Sequence, residues 1–312
     1  RAHHQPGCGG GRAGDGGLDV KWGLTPRLTA DFTWRTDFSQ VEADQEQVNL
    51  TRFPLFFPEK REFFIENSGT YAFGDLSERN YRLGAGPRDF TLFHSRRIGL
   101  QGGQPVPIIA GGRLTGRVGG FEIGTLSMQT ANTDALDSEN FTVARIRRTI
   151  LGSVDVGGIF TSRQVTNREL EPGIPDASGQ ADYNRAWGID VNARLLGNMM
   201  VHSYLAETHG PGQSGNNRAA RASVAWRDAL WDASILYRSV GDAFNPAVGF
   251  VRRRATRQYY ATVGVHPRPP VRGINEMNPY VEIEQYRDLE GVLETRNLVG
   301  GVGVSFLDGS VL

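Results

Sequence analysis

The amino-acid sequence predicts an all-β chain, an antiparallel up-and-down β-barrel of outer-membrane type that is incomplete in this chain. Two observations predict it. Segments of about ten residues, the length of a tilted strand crossing a bilayer, alternate apolar and polar side chains. Their connections are by turns very short and long, as they are when one rim of a barrel faces the periplasm and the other the outside. A third observation agrees: 40 of the 312 residues are glycine, without a collagen period, which suits many tight turns.

The alternation is read strand by strand. Leu28, Ala30, Phe32 and Trp34 alternate with Thr29, Asp31 and Thr33. Trp187, Ile189, Val191, Ala193 and Leu195 alternate with Gly188, Asp190, Asn192 and Arg194. A segment from Met199 to Thr208 follows. Ala220, Ala222, Val224 and Trp226 oppose Arg221, Ser223 and Arg227. Trp231, Ala233, Ile235 and Tyr237 oppose Asp232, Ser234 and Arg238, and Leu298, Val302, Val304 and Phe306 alternate with small residues. Phe141 to Ile150 carries Arg on both faces, so its orientation stays open. Short connections are expected at Val118-Gly119-Gly120, Leu151-Gly152, Leu196-Gly197-Asn198 and Asp228-Ala229-Leu230, and long ones at Ala131–Asn140, Arg163–Asn184 and His209–Asn217. Alternation alone does not say which face is inside. A soluble sandwich or solenoid would turn the apolar face inward, but has no reason to alternate its loop lengths.

Composition narrows the function classes. Lys+Arg and Asp+Glu are both 34, so there is no basic excess for general nucleic-acid binding. The single cysteine, Cys8, excludes an intrachain disulfide. No apolar run reaches the length of a transmembrane helix. Residues 1–17 are expected to be a disordered or non-native low-complexity tail, in which His3, His4 and Cys8 make only a loose metal tract. Residues 18–104 are expected to hold N-terminal strands and an acidic, aromatic motif region acting as plug or rim. Residues 105–312 are expected to form barrel strands truncated at the C-terminus.

The motif region is dense. DFSQVEAD contains Asp37, Glu42 and Asp44, and Glu46 follows. FFPEKREFF spans Phe56–Phe64, LFHSRRIG spans Leu92–Gly99, and GDAFNPAVGFVRR spans Gly241–Arg253. Together these strings resemble the bacterial family known as domain of unknown function 5916, from Asp19 onward. The resemblance implies an outer-membrane barrel that usually follows a carbohydrate-binding module similar to family 9. Some members are labelled hydrolases, but no catalytic residues are established for the family, so none carry over. Glu62 stands where relatives commonly have proline, which alters local stiffness.

The candidate ligand-binding residues are Asp37, Glu42, Asp44, Glu59, Lys60, Arg61, Glu62, His94, Arg96 and Arg97. A glycosidase pair needs two carboxyls held about 5–10 Å apart, and abundance of carboxylates is not geometry. No GxSxG elbow, Walker loop or HExxH helix is present. No catalytic residue, metal or cofactor is assigned, and an enzyme is the less favoured reading. The acidic run lacks the loop glycine of an EF-hand. The phenylalanines of the motif are expected to be core or plug rather than sugar platforms. Glu59, Lys60, Arg61 and Glu62 are expected to form ion pairs inside the structure. The expectation is a protein of the bacterial outer membrane whose partners are membrane lipid and, through an upstream module, glycans, with no nucleic acid. Its role would be pore, anchor or uptake component; the alternative is a secreted β-rich carbohydrate-active hydrolase.

Overall fold

The computed structural model describes residues 17–35, 49–74, 90–101, 104–132, 137–167 and 182–312. The N-terminal tail with His3, His4 and Cys8, and the acidic residues Asp37, Glu42, Asp44 and Glu46, lie outside the described residues.

Strands β1 (Leu18–Thr25) and β2 (Leu28–Trp34) come first. A one-turn helix α1 (Glu62–Ile65), 3-10 turns at Ser68–Tyr71 and Ser95–Arg97, and the two-residue strands β3 (Phe90–Thr91), β4 (Leu100–Gln101) and β5 (Gln104–Pro105) follow. The regular part runs through β6 (Ile108–Val118), β7 (Phe121–Thr130), β8 (Ser138–Ile150), β9 (Val154–Asn167), β10 (Tyr183–Leu195), β11 (Met199–His209), β12 (Arg218–Arg227) and β13 (Trp231–Val240). After the two-residue β14 (Phe250–Val251) come β15 (Thr256–Val265), β16 (Ile274–Arg287) and β17 (Leu293–Phe306). All the long strands join one 13-stranded antiparallel sheet in chain order, β1-β2-β6-β7-β8-β9-β10-β11-β12-β13-β15-β16-β17. The up-and-down order is therefore observed. The edge strands β1 and β17 are not hydrogen-bonded to each other, so the sheet is not closed, and because 13 is odd they run in the same direction.

The connections show why the chain turns where it does. At one rim, β6–β7, β8–β9 and β10–β11 are joined by Gly119-Gly120, Leu151-Gly152 and Leu196-Gly197, each with two successive residues at positive φ. That backbone matches the twist of paired strands, as in the primed hairpin turns. Asp228 makes the next turn by accepting hydrogen bonds from the backbone N–H of Leu230 and Trp231 at 2.8 and 2.7 Å. The opposite rim carries the longer excursions 35–107, 131–137, 168–182, 210–217 and 241–255. The rhythm fades at the end, where 266–273 on the short rim exceeds 288–292 on the long one.

Register decides which face each residue takes. Trp187, Ile189 and Val191 stand beside Phe160, Gly158 and Val156 on β9 and beside Glu207, Leu205 and Ser203 on β11. This face is exposed: Ile189 51%, Leu205 56%, Ile235 62%. The opposite face is sealed, with Arg145 3%, Asp190 4% and Arg221 4% accessible. The polarity is therefore inverted, with apolar side chains outward and charged ones inward. Two outward alanines are nevertheless buried by their neighbours: Ala30 has Trp22 directly across from it, and Ala193 stands between Val201 and Val154. The orientation of β8 is now fixed: Phe141, Val143 and Arg145 point inward, Ile146 outward, and Arg148 lies outward with its guanidinium over Phe121 at the short-turn rim.

Large aromatics gather at two levels of the outer face. Trp22, Phe121, Trp226 and Trp231 lie toward the short turns; Trp34, Trp187, Tyr237 and Tyr259 lie toward the long loops. On β13 the two levels are six residues apart, about 20 Å at ~3.3 Å per residue. Between them the face is mostly aliphatic, with Val224, Ile235, Val263 and Val281, and Phe32 and Phe160 are the aromatic exceptions.

Single cysteines at positions 191 and 192, in a Cys8→Ser background, test the facing. A solvatochromic label at 191 should be quenched by lipid-soluble quenchers, and one at 192 by aqueous ones. Shielding of position 191 from both would place it in a protein core. Val191→Arg should cost roughly 2–4 kcal/mol if it meets the bilayer midplane, and Asn192→Arg much less.

Candidate functional site

The concave face of the sheet is covered by the chain between β2 and β6 and by the excursion between β13 and β15. Their apolar residues Phe64, Tyr71, Phe73, Phe90, Leu92 and Ile98, with Phe244, Val248 and Val251, form one core with the inward side chains of the wall. Those wall residues include Ile108, Leu126, Met128, Phe141, Val143 and Tyr204. Phe90 stacks on Tyr204 at 4.7 Å and 9°, and Phe73 lies 5.7 Å from the same ring. A covering strap can come this close because the wall is notched. A Cβ on Gly188 would fall 2.5 Å from Phe73 and 2.8 Å from Leu92.

Three of the sequence motifs meet on this strap. In FFPEKREFF, Arg61 and Glu59 form a two-point pair, Nε to Oε1 at 2.9 Å and Nη2 to Oε2 at 2.8 Å, with both side chains about nine-tenths buried. Arg61 also donates to the carbonyls of Ile98 and Ser95, both at 2.7 Å, and Ser95 Oγ donates to Glu59 at 2.6 Å. This fastens the motif to LFHSRRIG. The guanidinium lies 4.3 Å from the Phe64 ring centroid. LFHSRRIG is in turn fastened to NPAVGFVRR. β3 pairs with β14, His94 N–H donates to Val248 at 2.7 Å, and Arg97 Nε donates to Gly249 at 3.3 Å. Asn184 then holds that segment to β10, giving to Asn245 and accepting from Ala247, both at 2.9 Å.

The expected site residues take different places. Glu59 and Arg61 are paired inside, as their charges and flanking aromatics suggested. Glu62 is exposed in the first turn of α1, where its charge suits the helix N-terminus instead. Lys60 is half-buried. Arg96 reaches the Pro58 carbonyl at 3.3 Å and lies 5.8 Å from Phe57. His94 packs against Phe56 at 4.7 Å and Phe250 at 6.2 Å. The motif phenylalanines therefore serve packing: Phe64 is buried, Phe63 and Phe56 are half-buried, and Phe53 lies under Arg253.

The electrostatics leave little acid–base capacity here. Burial raises the Glu59 pKa, but the hydrogen bonds and charge of Arg61, with help from Ser95, outweigh it and hold the carboxyl at about 2. Such a group is a poor proton donor near neutrality. Burial pushes the His94 imidazole down to about 4, against the pull of Glu59 and aided by Arg97, Arg96 and Arg61. Among the described residues, no group of three or more His, Cys, Asp or Glu is placed to hold a metal ion.

Sequence reasoning missed the heart of the interior. Arg113 on β6 donates Nε to Asp31 of β2 at 2.7 Å and Nη2 to the Glu66 carboxylate at 2.7 Å. Its Nη1 serves the carbonyls of Phe63 and Glu66. Arg145 pairs with Asp190 at 2.5 and 2.8 Å, and stands where a Cβ on Gly157 would be 2.6 Å away. The available signal was an arginine at an inward position of an alternating strand, beside glycines on the same strand or across from it.

Comparison with known proteins adds one finding. Residues 11–151 match the family described as domain of unknown function DUF5916. No curated protein and no solved structure matches the chain.

Two measurements probe the motif. Arg61→Ala leaves Glu59 buried without its partner, which costs roughly 3–5 kcal/mol, so unfolding should shift markedly toward lower temperature or denaturant; a near-neutral variant would show that the pair is solvated. His94 behaves differently with pH. Its folded pKa of about 4 lies below the ordinary 6.5, so its contribution is complete above 6.5 and is lost as pH falls from 6.5 toward 4. The loss is up to about 3 kcal/mol. Glu59 adds its own loss only between 4.5 and about 2. The unfolding temperature should therefore begin to fall below pH 6.5, and His94→Phe should remove that first part alone.

Proposed function

We propose that this chain, whose residues 11–151 match the DUF5916 family, is an outer-membrane β-barrel protein whose lumen is occupied by its own strap. The observation that carries the reading is the inverted polarity of the sheet. Aliphatic side chains such as Ile189, Leu205 and Ile235 face outward, while Arg113–Asp31 and Arg145–Asp190 lie within. In water the outward face would expose a continuous apolar surface far larger than a soluble monomer carries. In a bilayer it is the side that needs no further cover. The two aromatic levels support this, since membrane barrels set aromatic girdles at both interfaces around a band of about 25 Å. Bacterial barrels place short turns on the periplasmic side. That would put the strap, which enters from the long-loop rim, in the outer half of the lumen.

The role that fits a filled lumen is an anchor or a closed uptake component rather than an open pore. The carbohydrate link rests on the family resemblance to proteins with an upstream sugar-binding module. A secreted hydrolase is the less favoured reading, because the carboxylate at the centre of the motif, Glu59, is fully engaged by Arg61 and Ser95.

The protein expressed in a bacterial host with an export signal should fractionate with outer membranes, require detergent to stay dispersed, and migrate differently on gels before and after boiling. Recovery as a soluble, detergent-free monomer would overturn the membrane reading. In planar bilayers it should show little steady conductance, and shortening the strap should raise it.

A further inference from the structure

On the inner face near the long-loop rim lies a small cavity of about 40 Å³, lined by Phe90, Arg238, Val240, Arg252, Arg253, Thr256 and Tyr286. Among the described residues that line it, three are arginines and none is acidic, and Arg238 and Arg252 each make a further interaction of their own. Arg253 is held in an unusual way. Its guanidinium carbon lies 4.1 Å from the centroid of Phe53 and 4.0 Å from that of Tyr286. Stacking between two rings fixes the plane and leaves only the edge N–H groups to bond. On that edge Nη1 is shut off from solvent and has no hydrogen-bond partner among the described residues. A buried charged donor without an acceptor is costly, and a native structure that keeps one calls for an explanation. On β16, the strand that carries Tyr286, the carboxylate of Glu284 is committed elsewhere. It accepts from Tyr286 at 2.9 Å, Gln258 at 2.7 Å and Asn297 at 3.2 Å. The neighbouring arginine, Arg254, turns away to Asn245 at 2.6 Å.

We infer that this cavity binds a tetrahedral oxyanion, a phosphate or sulfate group, on the free edge of Arg253 with Arg238 and Arg252 beside it. Its size suits one such group, since a water needs about 10–15 Å³ by the same measure. Planar guanidinium donors on a rigid mount are the usual recognition chemistry for oxyanions. The group arrives either as a free ion or as the charged end of an anionic sugar. The site rests on the inward placement of Arg253 and not on membrane insertion, so it stands or falls separately from the proposed function.

The test is a calorimetric titration of the full chain in an uncharged detergent, with inorganic phosphate, glucose 6-phosphate and glucose as probes. Phosphate should bind saturably at one site per chain, and glucose should not bind. Tighter binding of the sugar phosphate than of phosphate assigns the source as a sugar, and equal or weaker binding assigns it as the free ion. Arg253→Gln should weaken binding at least tenfold. Arg148→Gln, on the outer face at the opposite rim, should leave it unchanged. Arg253→Lys keeps the charge but loses the flat edge, and should also weaken binding; it replaces the glutamine variant if that does not fold. Absence of saturable phosphate binding by the wild-type chain overturns the proposal. So does unchanged affinity in a folded Arg253 variant.

Discussion

A guanidinium sealed inside a sheet must be given acceptors by protein, because water does not reach it, and Arg113 sets that requirement for the whole interior. It is 4% accessible. Asp31 from the neighbouring strand supplies only one acceptor. The others come from the strap, as the carbonyls of Phe63 and Glu66 and the carboxylate of Glu66. The same residue thus ties wall to wall and wall to strap. Lys21 from β1 meets Glu66 as well, which brings the first strand into the joint. Removing one partner of such a buried pair is worth roughly 3–5 kcal/mol. Arg61 repeats the arrangement within the strap, joining Glu59 to the carbonyls of Ser95 and Ile98. The position of the strap is therefore set by hydrogen-bond demand as much as by apolar area.

The inner face of the wall is sorted along its length. Toward the long loops of β7 to β13 it is largely apolar, with Met128, Phe141, Ala186, Ala206, Ala219 and Val240 packed on the strap. Toward the short turns it is polar. There Arg147 pairs with Glu122, Asn192 with His202, and His266 sits between Asp232 at 2.7 Å and Glu276 at 3.1 Å. One strand therefore carries two patterns at once, an in–out alternation of period two and a slower change of the inward residues from greasy to charged. The first places the strand in the wall. The second decides that the strap occupies one half of the lumen.

This explains what was legible in the sequence. The alternation at Trp187–Leu195, Ala220–Trp226 and Trp231–Tyr237 was readable because each outward side chain meets the same surroundings, so one rule covers the whole strand. The Gly-containing turns were readable because positive φ restricts the residue type. β8 was not, because Arg145 and Arg148 answer to different surroundings: one is paired with Asp190 inside, the other extends outward at the rim beside Phe121. The Glu59–Arg61 pair was suggested by charge set among phenylalanines, but the exposure of Glu62 was not, since it follows from the one-turn helix that begins there. The joint at Arg113 was hidden for a plain reason. Its partners are 82 residues away at Asp31 and 47 away at Glu66, and two of its acceptors are backbone carbonyls with no residue signature.

The energetics also say how such a lumen can and cannot change. Withdrawing the strap would take acceptors from Arg113, open the cavity left by Phe73 and Leu92 against Gly188, and break the stack of Phe90 on Tyr204 in one step. Each loss is a few kcal/mol, with roughly 3–5 kcal/mol for the emptied space of a large aromatic alone. A whole-strap departure is therefore a collective event comparable to the stability of a domain, about 5–15 kcal/mol. The wall strands β15 and β16 are different. Their inward side chains include two polar sets, Gln258 and Tyr286 donating to Glu284, and Tyr260 donating to Glu282. Movement on this side exchanges separate polar contacts for water, each bond to a carboxylate being worth about 1.5–3 kcal/mol, instead of breaking one collective core. The interior is thus held as one collective unit where Arg113 and the aromatics bind it, and by separate polar bonds along β15 and β16, the side that carries Arg253.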